Sequence, residues 1–96
     1  MENLTITKES LLSRNEADFL FTEVDEETVL MNIHNSSYIG LNAVTTDIWK
    51  LLESSQSFKE LLAGLVSLYE IDAEKCEQET QMVVKGMVRN KILKVA

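Results

Sequence analysis

The periodicity of the apolar residues changes at Asn42, and this change constrains the fold more than any other feature of the chain. Before Asn42, short segments rich in β-branched and aromatic residues alternate with acidic or turn-forming residues, which is typical of β-strands. After Asn42, apolar residues recur with helical spacing as far as Asn90. Strands followed by helices predict an α+β fold in which the helices pack on one face of a small sheet.

Three strands are predicted in the first half of the chain. Residues 17–24 and 28–33 flank the acidic segment 25–27 and should form a β-hairpin. Residues 37–41 follow a run of turn formers and should form the third strand. Residues 4–7 are a candidate fourth strand. These segments predict a three- to four-stranded antiparallel meander at the N-terminus.

The N-terminal caps of the first two predicted helices can be read directly from the sequence. Asn42 is a good cap for the first helix, which should end near residues 54–55. Ser57 and Glu60 match a capping box, in which each side chain binds the free backbone amide of the other residue. The second helix should therefore begin at Ser57 and end at about Tyr69.

The third predicted helix lies between Asp72 and Asn90. Asp72 is its candidate cap, and Asn90 should end it because asparagine tolerates left-handed backbone geometry. Residues 92–95 follow as a short tail that can dock apolar side chains. Three helices joined by short turns after a small sheet predict a winged-helix-like arrangement. With no linker in the sequence, residues 1–96 should form a single domain.

Composition and charge exclude several classes of protein. The chain is 45% hydrophobic and 26% charged, so it should fold, and no apolar run approaches the about 18 residues of a membrane span. It begins without a secretory signal, and its single cysteine cannot form an internal disulfide, so we expect a cytoplasmic protein. The net charge is −7, with two bases and eight acids in residues 1–35. Such a chain repels phosphates, so neither nucleic acid nor membrane is expected as a partner.

The side chains that carry enzymatic chemistry are too few to build an active site. His34 is the single histidine and follows a strand end, which favours a solvated loop position. Cys76 lies on the apolar stripe of the third helix, which favours a small buried hydrophobe over a reactive thiolate. The glycines Gly40, Gly64 and Gly86 are dispersed and form no phosphate-binding loop. We therefore expect no enzymatic activity, no metal and no cofactor.

Gly40 lies inside the third predicted strand. A glycine at such a position marks either a bend before the first helix or a place where another backbone comes close, and both interpretations are open here. An outer strand of so small a sheet is covered, blunted by charges or left open to accept another strand. An open edge also permits self-pairing, so the chain can be a monomer or a homodimer.

Residues 37–53 resemble the PqqD family, also known as the RiPP recognition element of ribosomally made, modified peptides. The resemblance consists of an aromatic strand that ends in Leu-Asn, then a helix with Ile-Trp and Leu-Leu. Here these residues are Tyr38, Leu41, Asn42, Ile48, Trp49, Leu51 and Leu52. It continues over residues 17–95. Lys91 and Thr45 stand where the family has a glycine, which affects turn geometry and leaves the subfamily open.

The resemblance implies a non-catalytic binding module of peptide natural-product biosynthesis, a peptide chaperone. Members of this family hold the leader segment of a precursor peptide as an added β-strand, in a groove between the third strand and the third helix. They deliver it to a separate modifying enzyme, such as a radical SAM enzyme, a cyclase or a leader protease. The precursor would be of the lasso, radical-SAM or PQQ type. By this resemblance the peptide-binding residues are Tyr38, Ile39, Gly40, Leu41, Thr80, Val84 and Val88.

A local excess of bases near the end of the third helix adds an electrostatic hypothesis. From Lys75 onwards the chain has five bases and two acids. Lys85 and Arg89 are therefore predicted to pair with carboxylates of an acidic leader and to be part of the peptide-binding site. The alternative explanation is that these cations favour the helix dipole on a solvated face.

A winged-helix DNA-binding transcriptional regulator is the alternative function, since three helices and a small sheet also suit that motif. Such a regulator needs a recognition helix rich in lysine and arginine. Only the end of the third helix has this bias, and the whole chain has a pI of about 4.6. The leader-binding interpretation is therefore preferred.

Overall fold

A computed structural model describes residues 5–95, in which three helices and six strands are formed. In chain order the elements are β1 (Leu11–Arg14), β2 (Phe19–Val24), β3 (Glu27–Asn32), β4 (Tyr38–Gly40), α1 (Ala43–Leu51), β5 (Gln56–Ser57), α2 (Phe58–Tyr69), α3 (Ala73–Arg89) and β6 (Leu93–Val95). The α+β, winged-helix-like class with three helices is confirmed. The strands form two antiparallel three-stranded sheets, however, where the sequence predicted one.

The first sheet, which we call the meander sheet, has the strand order β2-β3-β4. It consists of the three predicted strands. Val24 pairs with Glu27, so a two-residue turn joins β2 to β3. Both turn residues, Asp25 and Glu26, have left-handed backbone angles, with φ of 52° and 71°. Such turns match the right-handed twist of the flanking strands, which explains the tight hairpin.

The second sheet, which we call the terminal sheet, has the order β5-β1-β6 and was not predicted. The predicted strand at residues 4–7 is wrong, because residues 5–7 form no strand and Leu4 lies outside the described residues. The N-terminal strand is β1 instead. The tail at residues 92–95 does more than dock apolar side chains, because Leu12 of β1 pairs with Val95 of β6.

The predicted helix caps are confirmed. The Asn42 side chain accepts a hydrogen bond from the Thr45 amide at 2.9 Å. Ser57 and Glu60 form both bonds of the capping box. The Asp72 carboxylate accepts from a backbone amide in the first turn of α3. These bonds satisfy amides that have no partner inside the helix, which is why the helices begin at these residues.

The end of α3 differs in detail from the prediction. Asn90 caps the C-terminus of the helix, but it has φ of −85°, and the left-handed residue is Lys91, with φ of 63°. The Lys91 amide donates to the Val88 carbonyl at 3.0 Å, and the Ile92 amide donates to the Met87 carbonyl at 2.9 Å. This pair of bonds is a Schellman motif, in which glycine is the usual left-handed residue.

A single apolar core lies between the two sheets and the helices. Trp49 is 1% exposed and anchors α1 in this core, and Cys76 is buried, as predicted. Val44, in the first turn of α1, is 42% exposed. Within residues 5–95, none of the helices is long and apolar enough to cross a membrane.

Candidate functional site

The hydrogen-bond ladder between β3 and β4 determines which backbone groups of β4 are free. The Leu41 amide donates to the Thr28 carbonyl at 2.8 Å, and the Asn32 amide donates to the Ser37 carbonyl at 2.9 Å. In an antiparallel pair, hydrogen-bonded positions alternate with positions that have no hydrogen bond. Ser37 and Leu41 each lie two residues from Ile39. By this alternation, Ile39 is the residue within β4 whose backbone is hydrogen-bonded to β3.

The backbone groups of Tyr38 and Gly40 therefore point away from β3. Among the residues that the structure describes, β3 is the only strand that pairs with β4. The amides and carbonyls of Tyr38 and Gly40 thus form an open edge, which can accept another strand by hydrogen bonding.

The side chains of β4 alternate between two faces, and the structure settles which residue lies on which face. Ile39 packs against the core, and Leu41 is buried. Tyr38 lies on the opposite, outer face and is 70% exposed. On this face Tyr38 is paired with Met31 of β3. The sequence left open which of these side chains lines a groove, because a one-residue change of register exchanges the two faces.

Gly40 is not required by the chain's own geometry. Its φ is not left-handed, and a Cβ atom built on it would meet no other atom within 4 Å. A left-handed bend at Gly40 is therefore excluded. The space next to the edge strand is open at this position.

A cavity of about 500 Å³ lies where α1, the end of α2 and α3 meet. Its wall is mostly apolar and includes Val44 of α1, Leu65 and Tyr69 of α2, and Thr80 and Val83 of α3. A cavity of this size can enclose a large apolar side chain. The exposure of Val44 in the first turn of α1 is explained by its position on this wall.

The cavity is connected to the end of β4. Asn42, which follows Leu41, lies on its wall. A second cavity, of about 390 Å³, is lined by Gly40, Leu41 and Asn42 together with residues of the β2-β3 hairpin. Both recesses therefore reach Asn42, at the end of the open strand.

Tyr69 connects α2 to α1 at the rim of the larger cavity. Its hydroxyl donates a hydrogen bond to the Asp47 carboxylate. Burial, followed by this hydrogen bond and the negative charge of Asp47, raises the pKa of Tyr69 to about 12. The tyrosine is therefore neutral at physiological pH, and its hydroxyl holds the end of α2 against α1.

The structure separates the residues that were assigned to the α3 wall. Thr80 lines the larger cavity, but Val84 is 0% exposed and lies inside the core, so its side chain cannot contact a peptide in this conformation. Val88 is partly buried and packs against the core. Thr80, Val84 and Val88 are four residues apart and lie along the centre of the apolar stripe of α3, so they face mainly the core. Val83, one residue from the stripe's centre, faces the cavity and was missed.

Lys85 and Arg89 lie further along α3. Arg89 is exposed, and Lys85 is half-buried. Neither side chain lines the two cavities described above. None of the ion pairs formed within residues 5–95 includes either residue. Both cations are therefore available to an acidic ligand.

The described residues offer backbone and apolar surface and few reactive groups. His34 is exposed, as predicted for a loop residue, and its Nε2 atom lies 2.8 Å from a carboxylate oxygen of Asp18. The Cys76 Sγ atom lies 3.6 Å from the Thr80 hydroxyl in the core. Across residues 5–95, no group of three or more His, Cys, Asp or Glu side chains could hold a metal ion.

Comparisons with known proteins identify similar sequences and folds. A family model described as "Coenzyme PQQ synthesis protein D (PqqD)" matches residues 27–93, from β3 to β6. The solved structure of "TbiB1 in Complex with the TbiA(beta) Leader Peptide" has a TM-score of 0.75 and 23% sequence identity, and covers 85% of this chain and 94% of that chain. No curated protein matches the sequence. The structural similarity establishes the fold, and the family match includes β4 and all three helices.

Proposed function

Because the chain belongs to the PqqD family, we propose that it captures the leader segment of a ribosomally made precursor peptide as an added β-strand. It then presents the peptide to a separate modifying enzyme or leader protease. The open edge of β4, with the outward amides and carbonyls of Tyr38 and Gly40, is the observation that carries this proposal. The TbiB1 fold, solved with a leader peptide, supports it.

The backbone of β4 supplies the affinity. A leader strand beside β4 exchanges hydrogen bonds with Tyr38 and Gly40, whatever its side chains are. The leader side chains opposite these two residues lie on the outer face of the sheet, next to the exposed ring of Tyr38. The intervening leader side chain, opposite Ile39, points to the inner face.

The larger cavity supplies the specificity. It begins at Asn42, where β4 ends, and its apolar wall includes Val44 and Val83. A leader side chain beyond the end of the paired segment enters this cavity, and a large apolar side chain fits its volume and lining. We therefore place Val83 and Thr80 in the leader site, and Val84 behind it in the core.

Lys85 and Arg89 supply charge further along α3, outside the two cavities. They form no ion pair within the described chain, so they are free to attract leader carboxylates. Charges at a rim act mainly on the association rate and its dependence on salt. Their role in this proposal is steering, with the backbone of β4 as the main contact.

The test compares two variants of Gly40 that differ in the outward amide. Gly40→Pro removes an amide that bonds nothing within the described chain, and proline is tolerated where the amide of an edge strand faces solvent. Gly40→Ala keeps the amide and fits the open space around Gly40. The ligand is the synthetic N-terminal half of the precursor encoded nearest this gene, and calorimetry measures its affinity.

We expect Gly40→Pro to weaken leader binding by about tenfold or more, because one hydrogen bond is lost and the ring obstructs the strand. Gly40→Ala should bind within about twofold of the wild type, because the added methyl group lies in open space. Equal binding by wild type and a folded Gly40→Pro variant would overturn strand addition at β4. A generic DNA duplex is the second ligand, and a salt-sensitive shift with DNA alone would favour the regulator.

A further inference from the structure

The other outer strand of the meander sheet, β2, is also open, and leader capture makes no use of it. Among the described residues, only β3 pairs with β2. Five of its six residues are exposed, and they include Leu20, Phe21 and Val24. The strand has no proline and one charged residue, Glu23. Natural proteins usually protect an edge of this length and composition, since it otherwise pairs with other strands.

The backbone groups of β2 that point outward follow from its ladder. The Ile33 amide donates to the Asp18 carbonyl at 3.0 Å, so the position just before the strand is a hydrogen-bonded one. By alternation, Phe19, Phe21 and Glu23 turn their amides and carbonyls away from β3. This edge is longer than the open edge of β4, which offers two such residues.

Glu23, the only charged residue of β2, does not protect the edge. Lys50 of α1 lies 2.8 Å from its carboxylate, and this partner raises the pKa of Lys50. The negative charge that would repel an added strand is thus neutralised within the chain.

The charge is concentrated at one end of β2. None of the ion pairs within residues 5–95 includes Asp25, Glu26 or Glu27 at the hairpin turn. At the opposite end, Glu16 is paired with Arg14 at 3.0 Å, and Asp18 is a single carboxylate that accepts a hydrogen bond from the Asn15 side chain at 2.8 Å. A segment that pairs with β2 is therefore favoured if it has lysine or arginine at the end that meets the hairpin turn.

Apolar side chains lie on both faces next to this edge. On the inner face, the Phe21 ring packs edge-to-face on Trp49, with centroids 5.5 Å apart, and the Arg14 guanidinium lies 4.8 Å from the Phe21 centroid. On the outer face, Leu20 and Met31 line a depression of about 270 Å³. An added strand with apolar side chains would extend both surfaces.

We propose that β2 is a second docking edge, which receives one extended apolar segment of the modifying enzyme, with a basic residue beside the hairpin turn. This inference rests on the proposed function, in which a separate enzyme acts on the captured peptide. The middle strand β3 separates the two edges, which lie about 10 Å apart. The leader and the enzyme segment are therefore held side by side on one sheet without competing for an edge.

A second copy of the chain fits this edge less well. In a symmetric antiparallel pair centred on Phe21, Val24 lies opposite Asp18 of the second copy. The hairpin turn lies beyond the paired strands, and β2 of the second copy has no lysine or arginine to offer its carboxylates. A second copy therefore lacks the basic residue that this edge favours.

The test uses the purified modifying enzyme encoded beside this gene and the full chain. Glu23→Pro removes an outward amide and leaves the ladder to β3 intact, whereas Glu23→Ala keeps that amide and loses the same side chain. A variant with Asp25→Asn, Glu26→Gln and Glu27→Gln removes the charge at the turn. Calorimetry measures enzyme and leader affinity separately for each variant, and thermal unfolding confirms that each is folded.

We expect Glu23→Pro to weaken enzyme binding by about tenfold or more relative to Glu23→Ala, with leader affinity unchanged. Gly40→Pro should weaken leader binding and leave the affinity for the enzyme unchanged. The turn variant should bind the enzyme more weakly at low salt, and its affinity should depend less on salt. If Glu23→Pro fails to fold, the enzyme affinity of the turn variant (Asp25→Asn, Glu26→Gln and Glu27→Gln) tests the docking edge instead.

If a folded Glu23→Pro variant binds the enzyme with unchanged affinity, the docking edge is overturned. If Glu23→Pro does not fold, unchanged enzyme affinity in the turn variant has the same meaning. Leader capture then still stands on the Gly40 variants. If the wild type binds no leader, the proposed function is overturned. The docking edge still stands in that case if Glu23→Pro loses enzyme binding. Sedimentation of the chain alone should show a monomer, and a dimer abolished by Glu23→Pro would assign the edge to a second copy.

Discussion

The hydroxyl of Thr46 in α1 lies 3.0 Å from the backbone nitrogen of Thr28 in β3 and accepts its hydrogen bond. The same hydroxyl donates to the Leu41 carbonyl at 3.3 Å, just after β4. Both threonines are buried. One hydroxyl group thus fixes the start of α1 to two neighbouring strands, and it determines how the open edge of β4 is oriented relative to the helices.

Replacement of Thr46 by valine should destabilise the fold. Valine keeps the shape but leaves the Thr28 amide and the Leu41 carbonyl buried without this partner, which costs about 1–3 kcal/mol. Thr46→Ser keeps the hydroxyl and should cost less. Urea unfolding of the two variants measures the difference, and equal stabilities would show that the hydroxyl does not bridge the strands.

Lys91 is the position where substitution should stabilise the protein. A left-handed backbone costs a non-glycine residue about 1–2 kcal/mol, and glycine loses about 0.5–1 kcal/mol through its greater freedom in the unfolded chain. Lys91→Gly should therefore raise the free energy of unfolding by roughly 0.5–1 kcal/mol. Lys91→Ala removes the same side chain without relieving the backbone, and should show no such gain in the same urea experiment.

The helices were predictable because their signals are local. Ser57 and Glu60 lie three residues apart, and the capping box needs only the two of them. The terminal sheet was not predictable for the opposite reason. Leu12 of β1 pairs with Val95 of β6, near the other end of the chain, and β5 has only two residues. No short stretch of sequence therefore contains the pattern that would indicate this sheet.

The candidate site was predictable only in part. The alternation of the first half predicts a meander whose outer strands are covered, blunted or open, and the choice of the third strand as the accepting edge came from the family resemblance. The wall on α3 depends on the rotation of the helix, and the sequence cannot distinguish Val83 from Val84 because both are adjacent valines on one stripe. Packing decides, and it places Val84 in the core and Val83 in the cavity.

Tyr69 should make stability fall at high pH. Its pKa is raised from 10.0 to about 12 by burial and by the hydrogen bond to Asp47. Because the unfolded chain loses the phenol proton first, its contribution is complete below pH 10.0 and is lost as the pH rises to about 12. Tyr69→Phe should show a smaller decline over this range in urea unfolding.

The titration itself can be followed by the ultraviolet absorbance of tyrosinate. Tyr38→Phe provides a background in which Tyr69 is the only tyrosine. In that background we expect a midpoint near 12, and Asp47→Asn should move it down towards 10.0. A midpoint that does not move with Asp47→Asn would mean that the carboxylate does not hold the hydroxyl.

Lys85 and Arg89 should accelerate leader binding. Lys85→Ala combined with Arg89→Ala removes two cations that have no ion pair within the described chain, so the association rate with an acidic leader should fall several-fold at low salt. Because salt screens charges at the rim, the difference from the wild type should shrink as salt is added. Stopped-flow measurements at two salt concentrations provide both quantities. Lys59→Ala is the matched control, since Lys59 is an exposed cation on α2 that lines neither cavity and belongs to none of the ion pairs within residues 5–95. If the double variant behaves like this control, Lys85 and Arg89 do not attract the leader. They are then solvated cations that interact favourably with the dipole of α3.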